Sequence, residues 1–176
     1  MDPGHPRLVN RRHQVSQAQG QFTPPLPPYA RLAPAGIRRR GVPLAQRLGK
    51  LVERIERKSV PVGTLDISFY RDDLSTVGPK PVVQKSDIGF PIQDKNIILV
   101  DDVLFTGRTI RAALDAVFDH GRPSRVRLCV LIDRGHRELP IAASFIGRAV
   151  QTTMKEVIEV KLTEIDNSEK VLLMEK

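Results

Sequence analysis

The sequence predicts an α/β fold with a mainly parallel sheet flanked by helices and a β-hairpin at the C-terminal end. Three observations point there. Residues 97–100 form a short, continuous apolar run, the pattern of a strand buried on both faces of a parallel sheet. A helical pattern follows, with Ile110, Ala113, Leu114 and Val117 on one face, and then a second buried run at 126–132. Strand, helix and strand in that order make a βαβ unit, whose crossover is right-handed. Finally, EVIEVKL and KVLLM flank Asp166, Asn167 and Ser168, which reads as two strands about a turn.

The remaining elements are read in chain order. With 176 residues the chain has the length of one ordinary domain. Residues 1–35 hold seven of the 14 prolines and show no apolar periodicity, so this segment is expected to be extended, disordered or aberrant. The folded domain is expected over 36–176. Pro43 suits a first helical position, and Leu44, Leu48, Leu51, Val52 and Ile55 share one face of a helix running to about residue 58. Between 62 and 70, Leu65, Ile67 and Phe69 alternate with Asp66 and Ser68, which predicts a strand. Residues 71–93 form a long polar connection, of the kind that serves as a lid. Gly121 and Pro123 end the helix that begins near residue 110.

Composition narrows the function classes. The net charge of +8 is concentrated at the N-terminal end: residues 1–40 carry seven Lys and Arg against one acid, a net of +6, and the rest carry 21 against 19. Basicity is therefore a weak sign of nucleic-acid binding by the main domain. The single Cys129 lies in an apolar run without zinc-ligand spacing, which fits a reducing, cytoplasmic setting. No apolar stretch approaches the roughly 18 residues of a membrane span, so no membrane partner is expected.

The chemistry concentrates in IILVDDVLFTGRT, residues 97–109. Ligands of parallel sheets gather at the carboxyl ends of strands, where loop amides and a helix N-terminus lie open. Gly107 lets the backbone curl, and Thr106 and Thr109 add hydroxyl donors, so several groups can converge on one phosphate. Asp101 and Asp102 would repel phosphate and suit the hydroxyls of a ribose. An Asp-Asp pair before a Thr-Gly turn can also merely cap a helix, but capping needs a much shorter pattern than this one.

That segment resembles the phosphate-binding signature of type I phosphoribosyltransferases. GIRRRGVPLAQRL at 36–48, LDISFYRDDL at 65–74, DHGRPSRVRL at 119–128 and LIDRGHRELPI at 131–141 are similar to the pyrimidine operon regulatory family, PyrR. The resemblance implies a type I phosphoribosyltransferase fold with a small hood. It implies a uracil phosphoribosyltransferase that makes UMP and pyrophosphate from uracil and 5-phosphoribosyl-1-pyrophosphate (PRPP) with Mg²⁺. It further implies uridine-nucleotide-dependent binding to a pyrimidine-operon leader mRNA, and a homodimer or higher homo-oligomer. The implied PRPP site is Asp101, Asp102, Val103, Leu104, Phe105, Thr106, Gly107, Arg108 and Thr109, with the two acids acting on the metal only indirectly. Arg38, Arg39, Arg40, Gly41 and Arg71 would hold pyrophosphate, and the backbone at Ile132, Asp133 and Arg134 would line the base pocket. His136, Arg137 and Arg148 would face RNA. A regulator with vestigial activity, or transfer to orotate or a purine, are the alternatives.

The N-terminal part departs from the family. Where PyrR has a helix and a buried strand, this chain reads FTPPLPPYARLAPAGI, and Pro34 falls where a central strand would donate a ladder hydrogen bond. The expectation is a sheet lacking that strand.

Overall fold

The computed structural model describes residues 28–70 and 86–175. Its main sheet has five parallel strands: β1 (Leu32–Ile37), β2 (Gly63–Leu65), β3 (Asn96–Leu104), β4 (Arg125–Asp133) and β5 (Phe145–Ala149), in the order β2-β1-β3-β4-β5. Helices α1 (Gly41–Glu56) and α2 (Arg108–Asp119) lie on it. The C-terminal part is an antiparallel hairpin, β6 (Glu156–Lys161) and β7 (Lys170–Glu175), joined through a single helical turn, α3 (Thr163–Asp166). The expected parallel sheet, flanking helices and terminal hairpin are all present.

Strand β3 shows why the continuous apolar run is needed. Successive side chains point to opposite faces. Ile97 and Leu99 join the core with Ile110, Ala113 and Val117 of α2, whereas Ile98 and Val100 pack with Ala45, Leu44 and Leu48 of α1. The α1 contact is closer than its leucines suggest. Gly41, Ala45 and Gly49 are buried at intervals of four residues, and a Cβ on Gly49 would stand 2.6 Å from Val62 Cγ2. The predicted apolar stripe of this helix is only partly covered: Leu51 and Ile55 are 49% and 75% exposed.

Three expectations need correction. The strand judged missing exists: β1 is a central strand, with Ala33, Pro34, Ala35 and Ile37 all buried. Strand β2 pairs only with residues 35–37, so Pro34 has a neighbour on the β3 side alone. Because it precedes the β2 ladder, its missing N–H takes no bond from β2. Ordered structure therefore starts ahead of residue 36, with a 3₁₀ turn at Pro28–Arg31 leading into β1. Residues 1–27 of the expected atypical segment lie outside the described residues.

The strand predicted over 62–70 stops at Leu65. The Asp66 carboxylate accepts the Ser68 N–H at 2.8 Å and the Ser68 hydroxyl at 2.6 Å, turning the backbone into a 3₁₀ turn at Ser68–Tyr70. This local side-chain bond outcompetes the ladder. The third difference is β5, which the sequence reading did not identify. Of the long connection, 71–85 lies outside the described residues, and Asp87 returns to bridge Thr64.

Candidate active site

Chain order reverses between β1 and β3. From β1 the chain steps outward to β2, and from β3 it steps the other way to β4 and β5. Loops leaving the carboxyl ends of strands at such a switch point part to either side and open a crevice. The loops after β1, β3 and β4 meet there.

The first loop, residues 38–40, is drawn tightly onto the sheet. Arg38 N–H donates to Leu65 O at 3.0 Å. Its bounding glycines have no room for side chains: a Cβ on Gly36 would meet Gly41 O at 2.5 Å, and one on Gly41 would meet Val100 O at 2.2 Å. Arg38 and Arg39 are exposed and Arg40 is half-buried. Arg38 and Arg39 border an open cleft of about 650 Å³ that Gln46, Asp66 and Ser68 also line. Arg71, expected beside them, lies outside the described residues.

The second loop is the expected phosphate cradle. Strand β3 runs through Asp101, Asp102 and Val103 to Leu104, so the two acids belong to the strand rather than follow it. Phe105 and Thr106 then turn to Gly107, whose φ of 96° sets the start of α2. Arg108 N–H lies 3.4 Å from Thr106 Oγ1, and Arg108 itself pairs with Glu138 at 2.7 Å. The exposed N-terminus of α2, with Thr106 and Thr109 half-buried beside it, offers amides and hydroxyls to an anion.

The two acids differ. Asp101 is buried, and burial, then the charge of Asp102, pushes its carboxyl well above the usual carboxylate range. Asp102 is half-buried and its N–H donates to Asp101 Oδ1 at 3.0 Å. Among the described residues, no three His, Cys, Asp or Glu side chains gather as a metal cage.

The third loop carries the residues expected to line a base pocket. Asp133, Arg134, His136, Ala149 and Thr152 border an open cavity of about 810 Å³. Burial alone would raise Asp133, but hydrogen bonds from Arg137 and from the Gly135 N–H hold its carboxyl below the ordinary range. Ile132 is buried at the end of β4, and Arg134 N–H donates to Leu104 O at 3.1 Å, tying this loop to the cradle.

The three residues expected to face RNA are placed differently from one another. Arg148 is exposed on β5, and His136 is exposed with a ring nitrogen 2.6 Å from Thr152 O. Arg137 turns inward. Its guanidinium bonds to Phe105 O at 2.7 Å, Gly135 O at 2.9 Å and Ile141 O at 3.1 Å, and pairs with Asp133 at 2.5 Å. Here it braces the cradle.

Sequence reading missed several contributors. The Arg134 guanidinium is buried against the Phe105 ring, and Arg40 is held by Asp166 at 2.8 Å from the far end of the chain. Tyr70 Oη donates to Asp119 at 2.6 Å and ties the last described residue before the long connection to the end of α2. Such pairs join residues distant in sequence, so no local pattern announces them.

Comparison with known proteins agrees with this geometry. The family model described as "Phosphoribosyl transferase domain" matches residues 31–164. A protein named "Bifunctional protein PyrR" from Roseiflexus sp. is 60% identical over 135 residues, covering 77% of this chain and 74% of its own. One of the same name from Pelotomaculum thermopropionicum is 55% identical over 140 residues, covering 80% and 77%. Among solved structures, a hypoxanthine-guanine phosphoribosyltransferase from Bacillus anthracis superimposes with a TM-score of 0.56 at 19% identity, covering 82% of this chain and 80% of that one. That likeness concerns the fold, which is the type I phosphoribosyltransferase fold. The chain belongs to the phosphoribosyl transferase family and, within it, to the PyrR proteins.

Proposed function

We propose that this protein transfers the phosphoribosyl group of PRPP to uracil, forming UMP and releasing pyrophosphate. One observation carries the reading: a glycine-bent cradle at a helix N-terminus stands at the switch point, between an arginine loop and an open pocket. Amides of residues 105–109 with the hydroxyls of Thr106 and Thr109 hold the 5′-phosphate. Asp102, backed by Asp101, accepts from the ribose hydroxyls. Arg38, Arg39, Arg40 and Gly41, joined by Arg71, take the pyrophosphate, and the backbone of 132–134 faces the base. Asp102, with Asp101 beside it, would orient a Mg²⁺ brought in by PRPP, and the ion would supply charge neutralisation for the pyrophosphate. The uracil N1–C1′ bond forms and the N1 proton leaves, so the protein's main task is alignment and electrostatics.

A second activity belongs to the proposal: binding of pyrimidine-operon leader mRNA controlled by uridine nucleotides. The relatives named bifunctional support it, as do the exposed His136 and Arg148 beside the pocket. A homodimer or higher homo-oligomer fits the exposure of Leu51, Ile55, Phe145 and Ile146. A cytoplasmic setting fits the free thiol of Cys129. No helix among the described residues is long and apolar enough to cross a membrane.

The test is a panel of labelled uracil, orotate, hypoxanthine and guanine, each with PRPP and Mg²⁺. Turnover with uracil is expected. Turnover with another base alone would redirect the substrate assignment, and none with any base would leave a nucleotide-sensing regulator. Salt-dependent leader binding that responds to UMP tests the second activity.

A further inference from the structure

Arg40 precedes the first residue of α1 as its N-cap, and Arg47 follows seven residues on, about two turns, so the two share a face. Both grip the segment that joins β6 to β7. Arg47 donates to both carboxylate oxygens of Glu164, at 2.8 and 2.6 Å, and to both of Glu169. Arg40 uses Nε and Nη2 on the two oxygens of Asp166, at 3.3 and 2.8 Å. Asp166 is itself fixed, because its Oδ2 accepts the Leu162 N–H at 2.9 Å.

The two contacts differ in what lies beyond them. Arg47 lies within the body of α1, whereas Arg40 ends the loop after β1 and feels the charge of Asp102 as well as that of Asp166. With Nε and Nη2 occupied, Arg40 Nη1 keeps no hydrogen-bond partner among the described residues. A guanidinium held along one edge presents its remaining donors in a fixed direction and loses less freedom when an anion arrives.

We propose that Asp166 is a positioning residue for the transfer reaction: its two-point contact aims Arg40 at the departing pyrophosphate and leaves Nη1 to donate to it. The inference rests on the pyrophosphate assignment of the 38–41 loop made above. Asp166 acts through Arg40 and touches no substrate atom.

The test is steady-state kinetics on the full chain with PRPP, Mg²⁺ and uracil, for the wild type and for Asp166→Asn, Glu169→Gln, Arg40→Gln and the Arg40→Gln/Asp166→Asn double variant. Asp166→Asn is expected to raise KM for PRPP roughly tenfold, the scale of a small misplacement of a binding group, with KM for uracil unchanged. Glu169→Gln loosens the same segment without touching Arg40 and is expected to leave KM for PRPP as it was. In the double variant, Asp166→Asn should add nothing to the Arg40→Gln defect. An equal effect of Glu169→Gln, full additivity in the double variant, or a fall in KM for PRPP on Asp166→Asn would each overturn the inference, the last by showing that Asp166 hides Arg40. Should Asp166→Asn fold poorly, Asp166→Glu keeps the charge and shifts the carboxylate by one methylene; an unchanged KM for PRPP there also overturns it. The two levels fail separately. A wild type without turnover sinks the proposed function and this inference with it, whereas an active wild type with an unaltered Asp166→Asn variant sinks this inference alone.

Discussion

The guanidinium of Arg134 lies 4.1 Å from the centroid of the Phe105 ring, so a buried cation from the loop after β4 rests on the loop after β3. Its remaining donors go to Thr152 Oγ1 at 3.3 Å, Thr153 O at 3.2 Å and Glu156 O at 2.6 Å. One side chain thus joins the cradle, the pocket loop and the entry to the hairpin. Arg134→Met keeps the apolar stem and removes every polar contact, leaving carbonyls unpaired. Loss of the cation–π contact and of these bonds should cost about 2–3 kcal/mol of stability. Urea unfolding measures it, and an unchanged midpoint would contradict the bridging role.

Gly107 is held at φ 96°, and a Cβ there would meet Ile141 and Leu139 at 3.3–3.4 Å. Gly107→Ala must bear a left-handed backbone and a tight contact together, a penalty of about 1–2 kcal/mol from the backbone alone. A lowered Tm is expected, with a KM for PRPP that rises because the cradle amides shift. A variant with both quantities unchanged would mean that the cradle does not depend on this turn.

Asp101 is an acid whose folded-state pKa is raised, by burial first and by Asp102 second. Above the ordinary aspartate range the folded chain therefore holds a proton that the unfolded chain has lost, and stability falls as pH rises toward the folded pKa. Asp101→Asn removes this dependence and keeps an oxygen for the Asp102 N–H. Melting curves taken upward from the ordinary aspartate range should be flatter for the variant, which should be at least as stable as the wild type once the pH passes the raised folded-state pKa. A variant less stable throughout would show that the carboxylate form is the one the fold requires.

The hairpin anchor responds in the opposite sense. Hydrogen bonds from Arg47 and then Thr163 lower Glu169 to about 2 from 4.5, and Arg47 and Arg40 likewise lower Glu164 and Asp166. Depressed carboxylates contribute stability above their unfolded pKa and lose it as pH falls through the folded one. Between about 4.5 and about 2, acid should loosen the contact between α1 and the hairpin. Arg47→Gln should reduce the slope of Tm against pH in that window, and high salt should blunt it too because these groups are solvent-exposed. A slope unaffected by the substitution would assign acid sensitivity elsewhere.

The parts of this fold legible from sequence are those that local pattern dictates. The apolar run of β3 and the helical spacing of α2 define the βαβ unit, and Gly107 with its threonines marks the cradle. Pro34 hid β1, because the register that leaves it ahead of the β2 ladder depends on where β2 begins. Strand β5 was invisible because all five of its residues are exposed, so no buried face stamps a period on it. The alternation at 65–69 misled in the other direction, since the turn made by Asp66 and Ser68 produces the same polar spacing as a strand. Asp166 could not be connected with Arg40 by any local rule, being 126 residues away.

The central claim is that the 105–109 cradle receives the 5′-phosphate of PRPP and of UMP. A crystal structure of the protein with UMP tests it most directly. The expected result is the phosphate within hydrogen-bond distance of the Thr106–Thr109 amides, the ribose against Asp102 and the uracil facing the backbone of 132–134. A nucleotide phosphate seated on the Arg38–Gly41 loop or elsewhere, with the cradle left to solvent, would contradict it.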